Sequence, residues 1–372
     1  MTRIFFSAGE SSGDIHGANL IRALQDVEPD LASEGLGGQR MACAGMAVRH
    51  DLASKGLMGF TEVVKSFPMI RRVFRATVAH LARTRPDCLV VIDYPGFNIR
   101  LAQAARALGI PVVYYISPQV WAWRKERIYT IASIVQKILV ILPFEEDLYK
   151  ELDVDCTYVG HPLLDHIASM PPSERYTKGL VIGLFPGSRE QEVRRLTAPM
   201  IEVASGIRKA YAEARFVAPC VNEKHAVQIR NLAGRFPLET AVGSTYDLLF
   251  GARFCLVASG TATLEAALFG VPMVILYRIS ALSHWIAKRI VHVDHIGLVN
   301  ILAGRRIVPE FVQNDVRAEN ILPATLSLVD DTPARAKMIA DLAAVREGLG
   351  GPGASARAAN EILAVVARRS HG

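Results

Sequence analysis

Apolar positions along this chain gather in short blocks separated by polar and glycine-containing turns. Blocks rich in β-branched and aromatic residues occupy 3–7, 87–92, 111–116, 136–141, 180–185, 214–218, 254–258 and 272–277, and each reads as a strand. The segments between them carry apolar residues at helical spacing, and strands alternating with helices build parallel sheets covered by helices. The series divides at the polar segment Met170-Pro171-Pro172-Ser173-Glu174-Arg175-Tyr176-Thr177-Lys178, after which Gly179 opens a second strand-and-turn series. The predicted organisation is therefore α/β, with one domain over 1–169 and another over 179–345. Two further helical patterns, 332–348 and 354–370, flank the break Gly348-Leu349-Gly350-Gly351-Pro352-Gly353. That break allows the last segment, 346–372, to pack back on the first domain.

A length of 372 residues suits two domains with separate cores. Apolar residues make up 51% of the chain and mean hydropathy is +0.23, yet no apolar run approaches the roughly 20 residues that span a bilayer. Met1-Thr2-Arg3-Ile4-Phe5-Phe6-Ser7 runs as a strand straight into a glycine turn, which is not the pattern of a secretory signal. The cysteines, Cys43, Cys88, Cys156, Cys220 and Cys255, are dispersed and form no C-x-x-C or Cys/His pair. A reduced, cytoplasmic chain without structural zinc is expected. The net charge of +6 favours anionic partners. Nucleic acid is the weakest of these, because the cations are scattered and no recognition motif accompanies them.

In open parallel sheets, ligands bind beyond the carboxyl ends of strands, where helix N-termini offer unpaired N–H groups to anions. The first loop of that kind is Ser7-Ala8-Gly9-Glu10-Ser11-Ser12-Gly13-Asp14. Its glycines and hydroxyls suit close approach by a ligand; the alternative is a tight turn with Ser12 or Asp14 capping a helix. It matches neither the dinucleotide fingerprint nor the Walker A loop. The second is Ile92-Asp93-Tyr94-Pro95-Gly96-Phe97-Asn98, in which a strand delivers Asp93 at its end. Such a carboxylate either accepts a proton from an attacking hydroxyl or stabilises the turn. The third, from Tyr114 to Arg124, holds Trp121 and Trp123, whose rings suit a sugar or acyl surface or else plug the space beneath a helix.

In the second domain Pro186-Gly187-Ser188-Arg189 follows a strand and places a guanidinium and free amides at a helix start, as a diphosphate requires. Ser259-Gly260-Thr261 likewise opens a helix, with Glu265 one turn in, as a ligand-facing acid or an ordinary first-turn acid. Asn300, in Leu298-Val299-Asn300-Ile301-Leu302-Ala303-Gly304-Arg305, can both donate and accept hydrogen bonds, although a plain loop asparagine is the commoner case.

In order along the chain, AGESSGD, IDYPGFN, YYISPQVWAWR, LPFE, VGHP, LFPGSRE, ASGTATLE and LVNILAGR resemble the motif series of bacterial lipid A disaccharide synthases, over nearly the whole length. The resemblance implies a GT-B architecture, two Rossmann-like domains with parallel sheets facing across a cleft. The first domain would bind acceptor and lipid, and the second the UDP-sugar. It also implies inverting transfer of 2,3-diacylglucosamine from UDP to the 6-hydroxyl of 2,3-diacylglucosamine 1-phosphate (lipid X), with no metal or other cofactor. Carried over residue by residue, Asp93 becomes the base for the acceptor hydroxyl, Arg189 neutralises charge on the departing UDP, and Asn300 is a position that matters for activity. Gly187, Ser188 and Arg189 with Ser259, Gly260 and Thr261 are assigned to the nucleotide phosphates, and Glu265 to its ribose. Gly9, Glu10, Ser12, Trp121 and Trp123 are assigned to the acceptor side. The chain departs from the commoner pattern at Gly38-Gln39-Arg40-Met41 and at Gly96, where many relatives carry an acid. The glycine argues against a required second carboxylate beside Asp93.

Acylated substrates call for a membrane surface or an apolar groove. From Pro68 the chain can wind as a helix that places Ile70, Val73, Phe74, Val78 and Leu81 on one face, with Arg71, Arg72 and Arg75 off or beside it. Ile70 and Phe74 are assigned to lipid, and the arginines suit an anionic phospholipid surface; the alternative is a helix whose apolar face packs on the sheet. The expected location is cytoplasmic, peripheral on the inner face of the inner membrane, and a homodimer is left open. The competing functions are a UDP-N-acetylglucosamine epimerase and a non-catalytic binding protein.

Overall fold

The computed structural model describes residues 1–53, 60–119, 126–280 and 294–370. The chain divides into two compact units, Met1–Ala168 together with Leu349–Gly372, and Ser169–Gly348.

In the first unit, β1 (Arg3–Ala8), β2 (Ala32–Gly37), β3 (Ala47–Asp51), β4 (Cys88–Ile92), β5 (Val112–Tyr115), β6 (Lys137–Val140) and β7 (Cys156–Tyr158) form one sheet. All pairings are parallel, in the order β3-β2-β1-β4-β5-β6-β7. Side chains alternate between two buried layers: Ile4, Phe6, Val90 and Ile92 fall in one, Phe5, Leu89 and Val91 in the other. Because both faces are covered, the central strands read as unbroken apolar runs without polar alternation.

The helix Ala354–Ser370 belongs to this unit and places Ala358, Ala359, Ile362, Val365 and Val366 in the layer that holds Ile4 and Phe6. Polar groups fix its start. The Asp165 carboxylate accepts the N–H groups of Gly353, Ala354 (3.0 Å) and Ser355 (2.9 Å), and the Arg357 guanidinium donates to the Val159 carbonyl at 2.7 Å. Farther along, Lys137 pairs with Glu361 at 2.7 Å.

The second unit repeats the plan with β8 (Val181–Phe185), β9 (Arg215–Cys220), β10 (Leu238–Val242), β11 (Phe254–Ala258), β12 (Met273–Tyr277) and β13 (Glu310–Val312). These too are parallel, in the order β10-β9-β8-β11-β12-β13. Both sheets are of the Rossmann type and each has a switch point, where successive connections leave in opposite directions. It lies between β1 and β4 in one sheet and between β8 and β11 in the other. Ligands bind beyond the carboxyl ends of the strands at such points.

Strands β2, β3, β7, β10 and β13 have no counterpart among the apolar blocks of the sequence. The long basic helix also differs from expectation, running Phe60–Thr84 with Pro68 inside it rather than starting at Pro68. No helix among the described residues is long and apolar enough to cross a membrane.

Candidate active site

At the first switch point β4 ends and the backbone takes two consecutive left-handed residues, Asp93 (φ 44°) and Tyr94 (φ 50°), before Pro95 opens the helix Pro95–Ala107. That conformation costs a non-glycine residue roughly 1–2 kcal/mol, so it needs support. Fully buried Asn98 supplies it. Its Nδ2 donates to the carbonyls of Ser7 (3.1 Å), Ile92 (3.1 Å) and Asp93 (2.8 Å), while its Oδ1 accepts the Ser7 hydroxyl at 2.6 Å. The buried Tyr114 hydroxyl donates to the same Asp93 carbonyl at 2.9 Å. Gly9 completes the lock: a Cβ there would lie 2.1 Å from the Tyr94 ring, so only glycine lets the β1 and β4 loops meet.

The Asp93 side chain is half-buried. Burial, and then the negative charge of Glu10, raise its pKa from 3.8 to about 6, against an opposing hydrogen bond from the Tyr94 N–H. Such a group is mostly ionised at neutral pH yet more basic than an ordinary carboxylate, as a general base requires. Gly96 offers no acid here, and the neighbouring negative charge comes from the β1 loop instead. Glu10 sits at the N-cap of the helix Ser11–Val27 with no side-chain capping bond, and Ser11 and Ser12 are exposed in its first turn. Asp14 does not cap this helix. It points inward and accepts the N–H groups of Gly38 (2.7 Å), Arg40 (3.0 Å) and Met41 (3.1 Å), pinning the Gly38-Gln39-Arg40-Met41 segment.

Trp121 and Trp123 lie outside the described residues. Ile70 and Phe74 are half-buried against the core layer that holds Leu89 and Val91, where Val73 and Leu81 are buried. Phe74 meets Phe97 edge-on at 5.7 Å. The apolar face of this helix thus packs on its own unit, while Arg71, Arg72 and Arg75 are exposed. Two other motifs are internal fasteners: Glu145 of LPFE is buried and accepts the Leu142 N–H at 3.2 Å. His161 of VGHP is buried too, which pushes its pKa down to about 3 and keeps it neutral.

At the second switch point Gly187 (φ 107°) turns the chain after β8, and Arg189 starts the helix Glu190–Ala210. Glu192 folds back over this turn. Its carboxylate accepts from the Arg189 N–H (3.3 Å) and guanidinium (3.0 Å), and a Cβ on Gly187 would meet it at 2.4 Å. Arg189 remains 63% exposed, so its guanidinium is available to a ligand. After β11, Ser259 donates its hydroxyl to the Ile296 carbonyl at 3.0 Å, whereas Gly260 and Thr261 are exposed where the helix Thr261–Leu268 begins. No atom of the described residues lies within 4 Å of a Cβ placed on Gly260. One turn in, burial raises the Glu265 pKa, and its carboxylate accepts the Tyr246 hydroxyl at 3.0 Å.

Asn300 is fully buried in the helix Leu298–Ala303. Its Nδ2 donates to the Val308 carbonyl and to Glu310, both at 2.8 Å, and its Oδ1 accepts the N–H groups of Ile307 and Val308, both at 2.9 Å. Glu310 in turn accepts the N–H groups of Ile296 (3.1 Å) and Gly297 (2.8 Å). Asn300 is thus bonded on both sides by the protein itself. Asn98, Tyr114 and Glu310 stand in or directly after the candidate motifs, yet none of the three is singled out by residue type or spacing.

The chain matches the family model described as lipid-A-disaccharide synthetase (LpxB) over residues 4–361. It is 39% identical to the lipid-A-disaccharide synthase of Syntrophus aciditrophicus, covering 98% of this chain and 97% of the relative. The chain belongs to the lipid-A-disaccharide synthase family. The Geobacter metallireducens enzyme of that name is 40% identical, covering 99% of this chain and 98% of the relative. Solved structures agree on the fold. A putative UDP-N-acetylglucosamine 2-epimerase from Listeria monocytogenes superposes with a TM-score of 0.66 at 16% identity, covering 99% of this chain and 96% of its own. The calicheamicin glycosyltransferase superposes with 0.61 at 15% identity, covering 99% of each chain. The fold is of the GT-B kind, and the protein is a glycosyltransferase of lipid A disaccharide synthesis, acting on a UDP-sugar donor and a sugar acceptor.

Proposed function

We propose that the enzyme transfers 2,3-diacylglucosamine from UDP to the 6-hydroxyl of lipid X with inversion at the anomeric carbon. The acceptor oxygen attacks that carbon as the bond to the UDP oxygen breaks; Asp93 takes the hydroxyl proton, and UDP leaves with the electron pair. The observation that carries this reading is the Asp93 carboxyl, fixed at the first switch point with its pKa raised to about 6. Gly9, Glu10 and Ser12, in the loop after β1 and the helix start that follows it, are given to the acceptor.

In the second unit the exposed Arg189 guanidinium offsets charge on the leaving diphosphate. Gly187, Ser188, Gly260 and Thr261 bring backbone N–H groups to the phosphates, Ser259 fixes the start of that helix, and Glu265 is given to the ribose. Asn300 acts as a positioning residue that holds the 304–310 turn, since its hydrogen bonds are internal. The exposed Arg71, Arg72 and Arg75 of the helix Phe60–Thr84 suit anionic phospholipid at the cytoplasmic face of the inner membrane, whereas Ile70 and Phe74 pack on the core of their own unit.

Incubation with UDP-diacylglucosamine, with and without lipid X, tests the reading. Disaccharide and UDP formed only when both lipids are present is the expected result. An epimerised sugar nucleotide, or binding without turnover, would replace it with one of the competing functions.

A further inference from the structure

The second unit holds a cavity of about 520 Å³ whose lining includes none of the residues given to the nucleotide. Four of its described lining residues are arginines, Arg194, Arg195, Arg278 and Arg317, against one acid, Glu202. They come from different elements. Arg194 and Arg195 lie on the helix Glu190–Ala210, Arg278 follows β12, and Arg317 caps the helix Ala318–Val329 after β13.

Arg194 pairs with Glu190 at 3.2 Å and Arg317 with Glu319 at 3.5 Å, both in exposed surroundings. Arg195, half-buried, and Arg278 have no carboxylate partner among the described residues. Gathering four guanidinium groups around one concavity against a single lining acid costs free energy through mutual repulsion, and a concave wall with an excess of one sign focuses the field on whatever enters. Guanidinium forks match phosphate oxygens, two bonds at a time. The volume falls within the roughly 300–1,000 Å³ of small-molecule sites. Pro199 and Ile279 provide apolar wall between the charges, so a phosphate attached to an organic body fits better than a bare ion.

We propose that this cavity is a second phosphate site, taking the phosphate group of a ligand other than the nucleotide. The group belongs to a soluble phosphate ester or to a phospholipid headgroup, and the two share the chemistry that the arginines read. Inorganic pyrophosphate is the probe, titrated calorimetrically into the full chain with the nucleotide loops saturated by UDP. The wild type should bind it, and the double variant Arg195→Ala, Arg278→Ala should bind about tenfold more weakly or worse, the scale of losing charge-assisted contacts. UDP affinity and melting temperature should not change in the variant.

Sedimentation with phosphatidylglycerol vesicles, against phosphatidylcholine vesicles, identifies the source. A wild-type excess over the variant that pyrophosphate competes away assigns a lipid headgroup; equal sedimentation with the pyrophosphate difference intact assigns a soluble ester. Absence of pyrophosphate binding by the wild type, or equal binding by wild type and variant, would overturn the site. Should the double variant unfold, Arg278→Ala alone, at an exposed side chain, carries the same comparison. Were UDP itself not to bind, the nucleotide assignment would fall, and the pyrophosphate comparison without UDP would still decide the cavity.

Discussion

Replacing Asp93 by asparagine separates chemistry from folding in a way alanine would not. Asparagine tolerates the left-handed backbone at this position, and its amide oxygen can still accept the Tyr94 N–H that now bonds the carboxylate. What it removes is the charge. In the folded chain burial, helped by Glu10, keeps the Asp93 proton bound until about pH 6, whereas its ordinary value is 3.8. The unfolded chain therefore releases this proton first, and the folded state loses relative stability as pH rises between those two values. The loss is complete above about 6 and absent below 3.8. The difference amounts to about 3 kcal/mol, which for a unit of this size corresponds to a melting temperature higher by up to roughly 10 °C. Asp93→Asn should thus stabilise the first unit at about pH 8, with a gain that shrinks toward about pH 4.5. Disaccharide formation should fall by about 10² or more. Thermal unfolding across that pH range, beside the two-lipid assay, measures both. A variant no more stable than wild type at the higher pH would refute the desolvated carboxylate, and wild-type turnover would remove Asp93 as base.

Glu10→Gln removes the secondary cause of the Asp93 shift and leaves burial in place. The acid limb of the pH–rate profile, expected to rise through about 6 in the wild type, should move lower without reaching 3.8; an unmoved limb would show that Glu10 does not act on the base. Asn300→Ala leaves two backbone N–H groups, a carbonyl and Glu310 short of partners, so the second unit should lose about 3 kcal/mol. Thermal unfolding measures this, and lost turnover with unchanged melting would instead mean that Asn300 touches substrate. Asp165→Ala strips the start of the helix Ala354–Ser370 of its acceptor, at a cost of about 1–2 kcal/mol. Amide hydrogen exchange in that helix should accelerate while the β8–β13 sheet is unaffected.

The strands legible in the sequence are those buried on both faces, because burial imposes the unbroken apolar run by which they are found. Those passed over are chiefly the margins. β3 and β7 end the first sheet, and β10 and β13 end the second; β3 is Ala-Val-Arg-His-Asp and largely exposed, while β7 and β13 have three residues each. A strand with one free edge can be short and polar without unsatisfied cost, so it leaves little pattern to read. The exception, β2, lies inside the sheet but carries Gly35 where a Cβ would meet the Phe6 carbonyl oxygen at 2.0 Å. Close backbone contact selected a glycine there that, in one dimension, signals a turn. Pro68 misled for a related reason: proline is a helix starter by frequency, and neighbouring sequence alone does not show that a helix continues through it.

The candidate loops were legible because small residues after an apolar strand have few purely structural uses, and the sheet order gives four of them an independent reason. Of the loops chosen from sequence, those after β1 and β4 and after β8 and β11 lie at the two switch points, a relation visible only once strand order is known, whereas the loop after β5 and the Asn300 segment do not. What the residue string could not convey is the direction in which a polar side chain turns. Asn300 and Asp93 look alike there, each a lone polar residue in an apolar motif. One is enclosed by four protein partners, while the other keeps a carboxyl whose proton is held by burial and by a neighbouring charge. Asn98, equally inconspicuous, supports the backbone that aims Asp93, and nothing local to Phe97-Asn98-Ile99 announces the three carbonyls that converge on it. Groups that do chemistry and groups that hold them in place share residue types. They are told apart by whether their hydrogen-bonding capacity is already satisfied within the fold, and on that criterion Asp93 and Arg189 are open while Asn98 and Asn300 are closed.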